Sequence, residues 1–366
     1  MGTTPDTHEL KYWVGFSLIP GIGRARISIL QQVFPTLEAA WRASAEELSR
    51  SELDRRTLAA IQRSRARIDL DAQMAKLTEL HITPLVYLDP AYPELLGQIY
   101  DYPPVLYVRG DLLPEDKTSV AVVGTRKATA YGREATDYLV KGLSRNRVTV
   151  ISGLARGIDT AAHKAALDAG GRTIAVLACG LDMVYPAENL GLAKEIMQHG
   201  ALVSEHPPGV KPEASHFPRR NRIMSGLSLG VLVIEAGQDS GAHITARFAL
   251  EQDRELFAVP GSIFSPSSKG PNRWIQEGAK LVFQPEDILE ELNVAMIGQQ
   301  IELKSILPAS SLERRLLNHL SREPTHIDVV VRLSGLPVTE VSSTLAMMEL
   351  KGMVRQVGAM NYVAAY

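Results

Sequence analysis

The stretch that most constrains this chain is SGLARGIDTAAH, residues 152–163. An apolar run, Val148–Ile151, leads into it and an alanine-rich segment, Thr160–Ala169, leaves it, so it reads as a loop passing from a buried strand to a helix. Ser152, Gly153 and Gly157 are small enough for backbone to approach backbone or ligand closely, and Arg156 stands among them. Such a loop is expected to aim unpaired N–H groups and the positive end of a helix dipole outward, as an anion site. The same construction recurs in VAVVGTRKATAYG (120–132) and VLVIEAGQDSGAHITA (231–246). Repetition points to function along one rim of a sheet.

The alternation around these loops sets the fold class. Short apolar runs at Val120–Val123, Thr149–Ile151, Thr173–Leu177, Ala201–Ser204, Val231–Ile234, Leu256–Val259 and Lys280–Phe283 read as strands. Helical patterns lie between them at about 132–144, 158–169, 188–199, 219–225, 242–252 and 272–276. Continuous apolar strands separated by helices predict an α/β domain, a Rossmann-like parallel-sheet core covered on both faces, over residues 81–293. Pro84–Leu88 and Pro104–Arg109 add two further short strands.

Residues 1–80 read as an all-α domain. Two apolar-periodic segments in LKYWVGFSLIPGIGRARISILQQVF are broken at Pro20-Gly21-Ile22-Gly23, with Gly23 opening the second. That pattern is a helix–hairpin–helix (SAM-like) unit: either a phosphate-holding hairpin with Arg24 and Arg26 beside it, or simply the turn of a small helical scaffold. Ser44–Glu47 predicts a capping box, and Asp54–Leu80 reads as one long helix with Arg55, Arg56, Arg63, Arg65 and Arg67 on a solvated face. Residues 294–308 lose periodicity and read as a linker. Residues 309–366 offer helices at Leu312–Ser321, Ile327–Ser334 and Thr339–Leu350, Gly352 as a C-cap, and strands Met353–Val357 and Asn361–Val363, which together predict a winged helix. Its third helix, Val338–Leu350, carries no Lys or Arg. A protein-contact or regulatory module is the reading that fits, with duplex binding as the alternative.

Composition narrows the class. With 366 residues the chain exceeds one ordinary domain. No run approaches the length of a membrane span and MGTTPDTHEL has no signal-peptide pattern, so a cytoplasmic protein without membrane contact is expected. A single cysteine, Cys179, leaves no internal disulfide framework or thiolate zinc cluster, and its apolar run suits a structural thiol. The net charge of −2 argues against a uniformly basic protein but not against a local basic patch.

The usual enzyme constellations do not occur. Gly124–Gly132 is not GxGxxG, no GxxxxGK[ST] occurs, and no GxSxG elbow surrounds Ser152 or Ser240. His163, His206, His216 and His243 lack metal-ligand spacing. No catalytic residue, cofactor or metal is therefore expected. The strand-end loops instead supply Thr125, Arg126, Lys127, Arg156 and Ser240, and FPRRNR (217–222) adds three arginines, an asparagine and an aromatic ring. Arginines that hold phosphates beside a ring that stacks on a base describe single-strand recognition; the alternative for FPRRNR is a solvated helix start.

The wording of these stretches is specific. YPELLGQIYDYPPVLYVRG, VAVVGTRKATAYG, VISGLARGIDTAAH, VLACGLDMVYPAEN, FPRRNRIMSGLS, ITARFALEQDRELFAVPG and GPNRWIQEGAKLV occur in an order that resembles the DNA-processing protein A (DprA, or Smf) family, from about Leu10 to the C-terminus. The resemblance implies a protein without catalytic turnover that binds and protects incoming single-stranded DNA and helps load the RecA recombinase onto it in natural transformation. It also implies a homodimer formed through the Rossmann-like domain. Carried over, the family's DNA pocket maps onto Gly124, Thr125 and Arg126, onto Ser152, Gly153, Arg156 and Gly157, and onto Phe217, Arg220, Asn221 and Arg222, and the expected site also takes in Arg219 and Ser240. Arg126, Arg156, Arg220 and Arg222 would hold phosphates and Phe217 would contact a base or sugar. His243 and Trp274 depart from the family pattern at the edge of that pocket. The rival reading is a nucleotide-binding or nucleoside-monophosphate-hydrolysing Rossmann-like enzyme. Those relatives carry a Gly-Gly-x-Gly-Thr loop, whereas Gly237–Gly241 here has no Gly-Gly pair.

Overall fold

The computed structural model describes residues 7–294, 311–321, 324–350, 353–358 and 360–364. The linker expected at 294–308, apart from Val294, and the Gly352 cap lie outside them. The chain divides into two compact units, Met1–Leu292 and Asn293–Tyr366.

The larger unit is built on a nine-stranded sheet: β1 (Thr83–Val86), β2 (Val105–Gly110), β3 (Ser119–Val123), β4 (Thr149–Ser152), β5 (Thr173–Val176), β6 (Gly200–Ser204), β7 (Gly230–Val233), β8 (Glu255–Ala258) and β9 (Lys280–Leu281), in the spatial order β1-β2-β6-β5-β4-β3-β7-β8-β9. The seven strands from β6 to β9 run parallel, as the uninterrupted apolar runs require, while β2 lies antiparallel to β6 and β1 antiparallel to β2. Strand β3 sits at the centre, with Ala121 opposite Ile151 of β4 on one side and Val231 of β7 on the other, and all five of its residues are buried. After β3 the chain winds outward through β4, β5 and β6, then returns to the other side of β3 as β7. The switch point therefore falls between β3 and β7, where a parallel sheet opens a crevice at its carboxyl ends.

The N-terminal segment packs on this sheet. Helices α1 (Thr7–Ser17) and α2 (Arg24–Val33) flank the Pro20–Gly23 turn as the sequence requires, with Gly23 as the N-cap of α2. Trp13, Phe16, Ile19 and Leu30 share one buried cluster with Val105, Tyr107 and Leu202 of the sheet and with Leu177 just after β5. The Ser44–Glu47 capping box forms. The expected single helix over 54–80 is instead two, Arg55–Arg65 and Leu70–Glu79, because Asp69 breaks the run by accepting from the Ala72 amide as an N-cap. Nor is Arg65 on a solvated face. It is half-buried and donates to the carbonyls of Trp41 and Ala43, closing the end of helix Leu37–Arg42.

The smaller unit has helices Ser311–Leu317, Ile327–Ser334 and Val338–Leu350 and a three-stranded sheet in which Asn361–Ala364 pairs with Thr325–His326 and Val354–Gln356. It forms its own core around Leu316, Val330, Leu345 and Met353, a winged-helix arrangement.

One buried histidine makes stability depend on pH. In helix Ile158–Asp168, His163 is fully buried; its Nδ1 lies 2.7 Å from Thr173 Oγ1, which itself donates to the Val150 carbonyl, so the imidazole donates and Nε2 has no partner. Burial, reinforced by Arg220, pulls its pKa from 6.5 down to about 3. The folded state thus refuses a proton that the unfolded state accepts, and stability is lost as pH falls below 6.5. The expected slope is about 1.4 kcal/mol per pH unit. Denaturant titrations of wild type and His163→Gln between pH 7.5 and 4.5 check this (the window is set by the roughly 6.5 unfolded value): the variant should show the shallower pH dependence, and parallel curves would contradict it.

Candidate nucleic-acid interface

Three loops leave the carboxyl ends of β3, β4 and β7, and their backbones touch. Gly157 has φ +78°, and a Cβ there would lie 2.3 Å from the Thr125 carbonyl oxygen. A Cβ on Gly124 would meet the Ile158 side chain and the Glu235 carbonyl. The Ile158 amide donates to the Thr125 carbonyl at 3.2 Å and the Thr125 amide to the Glu235 carbonyl at 2.7 Å. The Glu235 carboxylate, buried behind the rim, accepts from the Thr129 amide (2.9 Å), the Thr129 hydroxyl (2.6 Å) and the Ser267 hydroxyl (2.9 Å). The glycines of the rim are thus needed for loops to meet one another.

This changes the reading of the second loop. Its amides do not point outward unpaired: those of Gly153 and Ala155 donate to the Asp159 carboxylate at 3.2 and 3.3 Å. An aspartate in the first turn of the following helix has taken the place expected for an external anion. Its burial raises the Asp159 pKa above the ordinary carboxylate value, against the lowering pull of Arg220 and the two amides. Ser152 ends β4 rather than opening the loop; it is fully buried and donates to the Val122 carbonyl.

The open space lies between the first and third loops and α11 (His216–Gly226), which begins a few residues earlier than the sequence pattern indicates. A groove of about 970 Å³ is lined by Gly124, Thr125, Arg126 and Lys127, by Gly237–Ala242, and by Phe217, Arg220, Asn221 and Met224. It occupies the switch point. Arg126 is exposed, lies 5.2 Å from the Phe217 ring centre, and has no carboxylate partner among the described residues. Tyr185, half exposed, meets the edge of Phe217 at 5.8 Å and lines a smaller continuation of the groove with Gly153, Arg156 and Pro186. The signal for Tyr185 in the sequence is only an aromatic beside a proline in VYPAEN, so spacing alone gives no reason to select it.

The four arginines assigned to phosphates separate into different roles. Arg126 faces the groove. Arg156 is exposed and bound bidentately by Glu188 at 2.8 and 2.9 Å, a solvent-screened pair that a phosphate can replace at small cost. Arg220 is only 5% exposed; it donates to the carbonyls of Gly153 and, at 2.6 Å, Val176, so it is a strut beneath the second loop. Arg222 is buried on the far side of α11, 2.6 Å from Glu205 and 3.3 Å from Asp101, and Arg219 shares Glu205 at 3.4 Å. Residues 219 and 222 turn away because three-residue spacing places them on one helix face, while Phe217, Asn221 and Met224 share the other. Asn221 donates to the Gly241 carbonyl and Ser240 Oγ accepts from the Ala242 amide at 3.3 Å each, ordering the third loop. His243 and Trp274 do the same: the indole N–H donates to His243 Nδ1 at 3.0 Å, which leaves Nε2 to donate to the Gly237 carbonyl at 2.9 Å.

A nine-stranded, mainly parallel α/β body with a switch-point groove, together with a winged-helix unit, defines the class of protein. The family model for DNA recombination-mediator protein A matches residues 83–293, and that for the DprA winged helix domain matches residues 304–360. The chain is similar to DNA processing protein DprA of Bacillus subtilis, 48% identical over 220 residues that cover 60% of this chain and 74% of that one. It is 45% identical to protein Smf of Escherichia coli K12 over 273 residues, 73% of each chain. Among solved structures, DprA from Streptococcus pneumoniae aligns with a TM-score of 0.66 at 36% identity, covering 78% of this chain and 98% of that one. DprA from Helicobacter pylori, described for its single-stranded DNA binding mode, aligns with a TM-score of 0.52 at 31% identity, covering 58% and 95%. The chain belongs to the DNA recombination-mediator protein A family, which is the DprA/Smf family.

The contact between the first two loops is testable. Gly157→Ala places a methyl against the Thr125 carbonyl and strains a positive φ, whereas Gly170→Ala, at φ +71° with open space around it, adds strain alone. Gly157→Ala should destabilise by about 2 kcal/mol more than Gly170→Ala in denaturant unfolding. Equal costs would mean that the loops do not depend on that contact.

Proposed function

We propose that the chain binds single-stranded DNA in the switch-point groove, protects it and helps load RecA onto it, with no catalytic turnover. The observation that carries the binding is Arg126, an exposed guanidinium without a carboxylate partner among the described residues, set against the Phe217 ring at the mouth of the groove. A cation for phosphate beside a ring for a base is the minimum recognition unit for a flexible anionic polymer. Lys127 and Arg156 lie on the same rim. The single-strand binding described for the Helicobacter pylori relative supports the same ligand. RecA loading rests on the family likeness. Glu235, two residues before the third loop, has both oxygens engaged by Thr129 and Ser267 behind the rim, so it is held as a structural acid.

Binding should be steeply salt-dependent. By anisotropy with labelled oligo-dT, Arg126→Ala should flatten the slope of log K against log salt by about 0.7. Phe217→Ala should weaken binding by about 1–3 kcal/mol with little change of slope. Wild-type affinity in both variants, or none in the wild type, would overturn the proposal.

We propose that the homodimer forms at the β8–β9 edge of the sheet, a reading supported by Phe264 (88% exposed) and Ile263 (76%) on the loop after β8 and Phe283 (73%) after β9. Large apolar side chains concentrated at one sheet edge mark an association surface. In sedimentation velocity, Phe264→Arg should move the protein from dimer to monomer while leaving its melting temperature within about 2 °C; a dimer that persists would place the contact elsewhere.

A further inference from the structure

We propose that the same DNA strand is held a second time, in a groove on the other face of α11 against the Pro20–Gly23 turn. This rests on reading the switch-point groove as a single-strand site. The second groove, about 520 Å³, is lined by Pro20, Gly21, Gly23, His206, His216 and Arg219. The first turn of α11 divides the two spaces, with Phe217 and Asn221 lining one and His216 and Arg219 the other. A strand leaving the Phe217 platform needs to cross only that turn to enter it.

Four observations make this groove a site for a phosphate and a base. No side chain caps α2, so among the described residues the amides of its first turn open beside Gly23 without a side-chain acceptor. His206, 9% exposed, stacks on His216 with ring centres 4.2 Å apart, and His206 Nε2 and His216 Nδ1 have no hydrogen-bond partner among the described residues. Burial above all, then the neighbouring His216, Arg219 and Arg222, lowers the His206 pKa from 6.5 to about 4, so His206 is neutral and its Nε2 is left for a ligand. Arg219, 58% exposed, is loosely held: Glu205 is already bound by Arg222 at 2.6 Å and reaches Arg219 only at 3.4 Å. Finally, just outside the groove's lining, Arg24, next to Gly23, lies 5.1 and 4.7 Å from the ring centres of Tyr100 and Tyr102 and donates to the Tyr100 carbonyl. Tyr100 itself is 89% exposed. An arginine against an exposed ring repeats the Arg126–Phe217 unit of the first groove. Of the acids, Glu205 lines the groove, its Oε2 bound by Arg222 and its Oε1 without a hydrogen-bond partner among the described residues; Asp101, engaged by Arg222, and Glu213, 3.9 Å from His216, stand at the margin.

The test compares oligo-dT of about 6 nucleotides, enough for one groove, with one of about 20, enough for both. Arg24→Ala/Tyr100→Ala should bind the short strand as wild type does and lose about tenfold for the long one. Arg219→Ala should flatten the salt slope by about 0.7 for the long strand only. With 4-thiothymidine in the long strand, photocrosslinks should map to Tyr100 and the 20–24 turn in the wild type, a readout that needs no variant. Unchanged long-strand affinity, or crosslinks confined to the switch-point groove, would overturn the second site, as would capture of a peptide there in place of DNA. Failure of the first reading shows separately, as short-strand affinity that ignores Arg126→Ala.

Discussion

The rim of this protein depends on one approach of backbone to backbone: the Thr125 carbonyl against the α-carbon of Gly157. That approach lets the Ile158 amide bond across the two loops, while Glu235 holds the other end of the first loop through Thr129. With its backbone fixed from both sides, the first loop presents Arg126 and Lys127 at the switch point without their having to be ordered on binding. Preorganisation of that kind spares a ligand the cost of immobilising the residues that hold it. The His243–Trp274 pair and Asn221 impose the same discipline on the third loop.

Helix α11 explains how one basic cluster serves several ends. Arg220 is spent on carbonyls beneath the second loop and Arg222 on Glu205 and Asp101, so neither projects a free charge into the switch-point groove. Buried guanidinium groups demand such partners, because an unpaired charge at that depth is costly. What remains for a ligand on the groove side is Phe217 and the arginine it supports. Much of the charge in FPRRNR is therefore spent on the architecture rather than left free at the groove.

The strand–helix alternation, the position of the rim and the winged helix were legible because apolar runs and glycine punctuation encode them locally. The order of the strands was not, since nothing in the runs says that β2 joins antiparallel at the β6 edge. Within the site, sequence correctly marked which loops gather but not which way each side chain turns. Arg220 and Arg222 read like Arg126 until the acceptors around them are known, and those acceptors, Gly153, Val176, Glu205 and Asp101, lie far away in the chain. Asp159 is the reverse case. As an acid two residues into a helix it could have been read as the anion its own loop captures. The break at Asp69 was likewise visible as a capping residue inside an otherwise helical pattern, outvoted by periodicity on either side.

The measurement that bears most directly on the central claim is amide hydrogen exchange with and without a saturating single-stranded oligonucleotide. Added DNA should slow exchange in residues 124–128, in 237–241 and in the first turn of α11, where backbone lines the groove. Protection confined to residues 311–364, with the switch-point loops unchanged, would contradict it.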